Sequence, residues 1–162
     1  MDALHFHLII THLPVFASIL GALVLGYGMG KESRPTREIA YLLLLLAGVG
    51  AVLSNVSGEN AEHLAENIPG IAESSIELHE ESVGLVLWLL IPCALASAAG
   101  LWAGWKKPDM EKRFALLALA LSLLGFAATA RTAWLGGQIR HTEITGESSG
   151  SARESSPEMD ED

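Results

Sequence analysis

The chain has one cysteine, Cys93, in 162 residues. A single thiol excludes an internal disulfide and any multi-cysteine zinc or iron–sulfur site. Set among Leu, Ala and Ser, Cys93 reads as a small apolar packing residue. A basic surface is also missing. Ten Lys and Arg stand against nineteen Asp and Glu, a net charge of −9, which excludes nucleic-acid binding. The opening MDALHFH lacks the positive n-region of a cleavable signal peptide, and the first Lys, Lys31, follows an apolar run. No nucleophile or general-base arrangement is legible, and enzyme status stays open. Charge of either sign is scarce: 18% of residues, gathered in blocks, while half of the chain is hydrophobic. The polar face that a soluble helix needs is absent from Tyr41–Leu53 and Phe114–Ala128.

What is present is four apolar segments, each about long enough to cross a bilayer as a helix. They run over Leu8–Met29, Ile39–Val56, Val83–Trp105 and Phe114–Leu135. The expected fold is all-α, an integral membrane four-helix bundle over residues 1–144. An acidic, disordered tail is expected over 145–162, where Ser, Gly and acid replace apolar periodicity. Seven of the ten basic residues fall in the two loops after segments one and three: Lys31, Arg34, Arg37, Lys106, Lys107, Lys112 and Arg113. The positive-inside bias makes that side cytoplasmic and puts both termini outside, as in a multi-pass protein of a bacterial inner membrane. The lipid bilayer is then an obligatory partner.

Between segments two and three lies Gly58–Ser82, with seven glutamates, His63, His79 and no Lys or Arg. At 100° per residue, Asn55, Glu59, Glu62, His63 and Glu66 share about a third of a helix circumference. Helix 2 can therefore continue outward with one ligand-rich face. Asn67-Ile68-Pro69-Gly70 reads as a turn, and Ser74-Ser75-Ile76-Glu77 has capping-box form. Helices 2 and 3 are thus expected to extend outward as a hairpin.

All six histidines map to the outward side: His5, His7 and His12 before or within helix 1, then His63, His79 and His141. His5 and His12, seven apart, share a helix face; His7 and His12, five apart, do not. Pro14 fits a first helical turn, where no backbone donor is needed. On helix 4, Arg131, Trp134, Gln138 and His141 form one stripe. Arg131 there either faces the bundle interior, toward Glu59, Glu62, Glu80 or an anionic cofactor group, or snorkels to the surface.

Three readings follow. The first is a b-type haem held by His12 and His79, with Gly84, Gly136 and Gly137 giving room and Arg131 and Arg140 meeting the propionates. The second is a non-haem iron, zinc, copper or manganese site built from His and Glu, with Glu59, Glu62, His63, Glu80, His7 and His141 as further candidates. The Glu-x-x-His signature of di-iron bundles is absent, since His63 follows Glu59 by four. The third is a non-catalytic scaffold or accessory subunit whose outward hairpin binds a partner.

His7-Leu-Ile-Ile-Thr-His12-Leu-Pro14-Val resembles the opening HPxxVHFPI of a family of small four-helix bacterial membrane proteins, catalogued only as a domain of unknown function. Trp134-Leu-Gly136-Gly137-Gln-Ile-Arg-His141 is similar to that family's closing W-L-G-G followed by histidine. A histidine at the start of the third helix, filled by His79, also belongs to the pattern. The resemblance spans about residues 5–143, and Leu8 stands where the family has proline. It implies roles for His7, His12, His79 and His141. Some relatives are fused to cytochrome c-like domains, which implies redox work with a periplasmic or membrane redox partner.

Overall fold

The computed structural model describes residues 3–65 and 73–140, with side chains described at 5–59 and 77–137. The expected tail, the Pro69-Gly70 turn and His141 lie outside the described residues. Five helices occur among them: α1 (Ala3–Ile10), α2 (His12–Gly30), α3 (Arg34–Ala65), α4 (Glu73–Lys106) and α5 (Pro108–Arg140). The first apolar segment is therefore two helices in line, not one. Pro14 gives the reason. It has no N–H for the carbonyl of Ile10, and its ring crowds that carbonyl. The chain breaks at Thr11, whose N–H bonds the His7 carbonyl at 3.0 Å and whose hydroxyl bonds the Leu8 carbonyl at 3.0 Å.

Each helix packs on the next in sequence, and α2 closes the ring against α5. The result is an all-α up-and-down bundle with four helices (α1 and α2 counted as one) long and apolar enough to cross a membrane. Its interior is mostly small residues, around a few large ones: Leu25, Tyr41, Leu44 and Leu90. Ala40, Ala47, Ala118, Ser18, Ser97 and Ser122 are fully buried, while Phe16, Leu23, Leu95 and Trp88 are exposed, Trp88 at 80%. Large side chains outside and small ones inside are what helix packing in lipid selects, because close approach of backbones supplies the attraction. The buried hydroxyls of Ser18, Ser97, Ser122 and Thr129 are satisfied within their own helices, as in Ser97 to the Cys93 carbonyl at 2.8 Å and Ser122 to the Leu119 carbonyl at 2.8 Å. Cys93 is buried against Ala118, as its apolar surroundings imply.

The connections at one end are short. Lys31–Ser33 join α2 to α3 through a closed hydrogen-bonded turn. Ser33 N–H bonds the Gly28 carbonyl at 2.9 Å, Glu32 N–H bonds the Met29 carbonyl at 3.2 Å, and Glu32 sits at φ 52°. This is the Schellman pattern with Glu in the left-handed position usually given to Gly. Lys107 alone joins α4 to α5, where Pro108 starts the new helix without needing a donor. The seven basic residues lie in these turns or in the helix ends beside them, which makes this the basic end of the bundle.

The polar belts are one bilayer apart. Ser57 lies twenty residues beyond Arg37 on α3, and Arg131 twenty beyond Glu111 on α5. At about 1.5 Å per residue each separation is about 30 Å, the thickness of a hydrocarbon core. α3 continues past Ser57 to Ala65, and α4 begins at Glu73, nine residues before Ser82. Both helices extend beyond that thickness, as the ligand-rich face and the Ser74–Glu77 spacing lead one to expect.

Candidate functional site: the imidazole end of the bundle

At the end opposite the basic turns, α1, α3, α4 and α5 bring polar groups together. His7 on α1 packs over Gly58 of α3, where a Cβ would lie 3.2 Å from its ring. Its Nδ1 is 2.9 Å from Ser57 Oγ. His79 on α4 packs in the same way over Gly136 of α5, where a Cβ would lie 3.0 Å from the ring. Its Nδ1 is 3.1 Å from the carbonyl of Thr132. His7 thus sits on the α1–α3 side and His79 on the α4–α5 side of the same end of the bundle.

These bonds fix the tautomers. A carbonyl only accepts, so His79 must carry its proton on Nδ1. The Ser57 hydroxyl donates to the Ser54 carbonyl at 3.0 Å, so it can only accept from His7, which also carries its proton on Nδ1. In the neutral ring each Nε2 then carries a lone pair, and no hydrogen bond to either Nε2 occurs among the described residues. A ligating histidine has this arrangement, with one nitrogen anchored by an acceptor and the other presented.

A chain of hydroxyls supports the α4–α5 side. Thr132 Oγ1 donates to the Ala128 carbonyl at 3.0 Å, so it accepts from Ser82 Oγ at 2.7 Å. Ser82 Oγ in turn accepts from Arg131 Nη1 at 3.1 Å. Arg131 is thus anchored beside the site by Ser82, and no carboxylate pairs with it among the described residues. On the α3 side, Ser54 Oγ is buried and has no hydrogen-bond partner among the described residues.

His12, the partner expected for His79, is not in this group. It lies on the exposed face of α2, where its Nδ1 bonds the Leu8 carbonyl at 2.7 Å and its ring stacks on Phe16. Residues 3–10 are helical and Thr11 keeps helical φ −63° and ψ −24°, so the 140° between His7 and His12 applies: His7 faces inward and His12 outward. The carboxylates do not converge either. Glu59 bonds Asn55 at 3.2 Å on the surface, and Glu77, Glu80 and Glu81 are exposed. No group of three His, Cys, Asp or Glu side chains placed to hold a metal occurs among the described residues. The side chains of Glu62, His63 and Arg140, and all of His141, lie outside them. Of the glycines expected to give room, Gly84 and Gly137 face open space and Gly136 cradles His79.

A model of the family described as "Predicted membrane protein (DUF2231)" matches residues 3–146. The chain belongs to that family. The match covers every helix and both histidines of the site. This DUF2231 protein matches no curated protein and no solved structure.

Two polar groups at the basic end could not be paired from sequence. Arg37 Nε bonds Glu111 Oε1 at 2.6 Å and Arg37 Nη2 bonds Glu111 Oε2 at 2.8 Å, a bidentate pair between α3 and α5. Tyr41 OH donates to Glu111 Oε1 at 3.1 Å, and Arg37 Nη1 reaches the Gly28 carbonyl at 3.4 Å. The only sequence signal was the position of Glu111, an acid within a basic loop.

Proposed function

We propose that His7 and His79 form a bis-imidazole ligand site for a b-type haem, and that the protein is a redox component of a bacterial inner membrane. The observation that carries this reading is the pair of Nε2 lone pairs. Two imidazoles at the same end of the bundle, from helices that do not adjoin in sequence, each bond an acceptor through Nδ1 and leave Nε2 free to ligate among the described residues. Two axial imidazoles complete a haem iron, whereas a structural zinc asks for about four protein ligands. The donor set therefore fits haem better than a bare ion. Haem supplies one-electron chemistry. His7 and His79 would hold the iron, Ser57 and Thr132 would orient the two rings through Nδ1, and Arg131, anchored on Ser82, would offer a cation to a propionate. The carboxylates that would repel propionates are turned outward where their side chains are described.

The positive-inside bias places the basic end in the cytoplasm and the imidazole end on the periplasmic side, within reach of a periplasmic or membrane redox partner. The test is an optical spectrum of the purified protein before and after dithionite, with elemental analysis. A reduced α-band with one iron per chain is expected, lost in both His7→Ala and His79→Ala and kept in His12→Ala. Stoichiometric copper, zinc or iron without that band replaces haem with a bare metal. Folded protein with neither signal overturns the ligand site altogether.

A further inference from the structure

The seam between α3 and α4 on the outer face of the bundle carries a cationic head and an apolar slot. At the basic end the Arg34 guanidinium lies 5.4 Å from the centroid of Trp105, joining the start of α3 to the end of α4. One turn away, Lys107 lies 5.9 Å from the centroid of Trp102. Arg34 Nε is held by Glu38 at 2.9 Å, but its two terminal amino groups have no hydrogen-bond partner among the described residues. Further along the same seam is an apolar groove of about 290 Å³, lined by Gly48, Val49, Val52, Ile91, Ala94 and Leu95, with no polar lining.

Head and slot are in register. At 100° per residue, Arg34, Val49 and Val52 fall within about 60° of one another on α3. Ile91, Leu95, Trp102 and Trp105 fall within about 80° on α4. Trp102 and Trp105 are exposed at the level where indole rings mark a membrane interface. On α4 the groove spans Leu95 to Ile91, about 10 to 16 Å beyond Trp102, and on α3 it continues to Val52 and Leu53, about 22 to 24 Å beyond Arg37 and past the bilayer midplane. The acyl chains of the leaflet at the basic end reach its near part, at Leu95.

We propose that this seam binds one anionic phospholipid. The phosphate is held by the terminal amino groups of Arg34 and by Lys107, the indoles of Trp102 and Trp105 pack beside it, and one acyl chain follows the seam into the groove. Charge complementarity names the headgroup. Lys31, Lys106, Lys112 and Arg113 lie in or beside the two turns at the same end, and Glu38 occupies only the Nε side of Arg34.

The full chain, purified in mild detergent, is titrated with phosphatidylglycerol or with phosphatidylcholine of the same acyl chains. Native mass spectrometry then counts the lipid retained. One phosphatidylglycerol per chain is expected, in preference to phosphatidylcholine. Arg34→Gln should weaken its retention about fivefold, the effect of about one basic residue at a membrane surface, and Arg34→Lys should restore part of it. Val49→Phe fills the slot without touching a charge, and it too should lower retention. Thermal melting of each variant verifies the fold, and Lys107→Gln serves if Arg34→Gln melts early. Equal retention of the two lipids, or indifference to Val49→Phe, overturns the proposal. So does a lipid-free dimer, which would make a second copy the occupant of the seam.

Discussion

The two ends of the bundle solve the same problem, polar groups at the edge of an apolar slab, in opposite ways. At the basic end Arg37 and Glu111 cancel each other, and every strong group in the cluster has a partner of matching kind. Arg37 takes both oxygens of Glu111, and the Tyr41 hydroxyl adds a third bond. At the other end the groups are mostly neutral, and the hydrogen-bond chains stop short. Arg131 to Ser82 to Thr132 ends on a carbonyl, while two Nε2 atoms and Ser54 Oγ are left over. A saturated cluster holds helices together; one with spare lone pairs can take a ligand. The first should fail in stability when cut, the second in binding.

The largest effect is expected at the saturated end. Glu111→Ala leaves Arg37 as an uncompensated charge among packed helices, at a cost of about 3–5 kcal/mol. The check is thermal or denaturant unfolding in detergent. Replacing both partners by apolar residues, Arg37→Met with Glu111→Leu, should recover most of the loss. If the double replacement is no better than the single one, the pair does more than hold the helices. Next comes Gly100→Ala. Its Cβ would lie 2.6 Å from Tyr41 Cζ, on a ring 1% exposed and tied by its hydroxyl to Glu111. Overpacking of this kind costs about 1–3 kcal/mol, and the loss should shrink in a Tyr41→Ala background.

At the unsaturated end Ser57→Ala should cost only about 1 kcal/mol, one hydrogen bond. It should nevertheless change ligand binding, because His7 loses the acceptor that fixes its tautomer. Stability and spectrum measured on the same sample separate the two. If Ser57→Ala lowers stability as much as Glu111→Ala, the contrast between the ends is wrong. The smallest change has the opposite sign. Glu32→Gly relieves a left-handed residue, which costs about 1–2 kcal/mol, against about 0.5–1 kcal/mol of glycine entropy. A net gain under about 1 kcal/mol is expected, read as a small rise in melting temperature.

The apolar segments and the blocks of charge were enough to read four membrane-crossing helices, because lipid imposes length and composition directly on sequence. The outward reach of α3 and α4 was legible for the same reason, from a polar face that kept helical spacing. The partner of His79 was not legible. His7 and His12 are both histidines near a helix start. Which one faces inward depends on whether residues before Thr11 are helical, and a proline four residues past Ile10 is compatible with either. The Arg37–Glu111 pair was hidden differently: its members are far apart in sequence, and a loop rich in Lys and Arg offers several equivalent partners. Helical spacing reports faces; it does not report which faces meet.

The two short connections, Lys31–Ser33 and Lys107, lie on one side of the slab, so the described helices form two closed hairpins, α1–α3 and α4–α5. Each hairpin can enter a bilayer as its own unit during synthesis, burying its internal seam before it meets the other. His7 belongs to the first hairpin and His79 to the second, so the haem site proposed above would exist only once the two hairpins have docked. Two halves made separately should each insert; if that proposal holds, neither alone should bind haem, and mixing them should regenerate the binding.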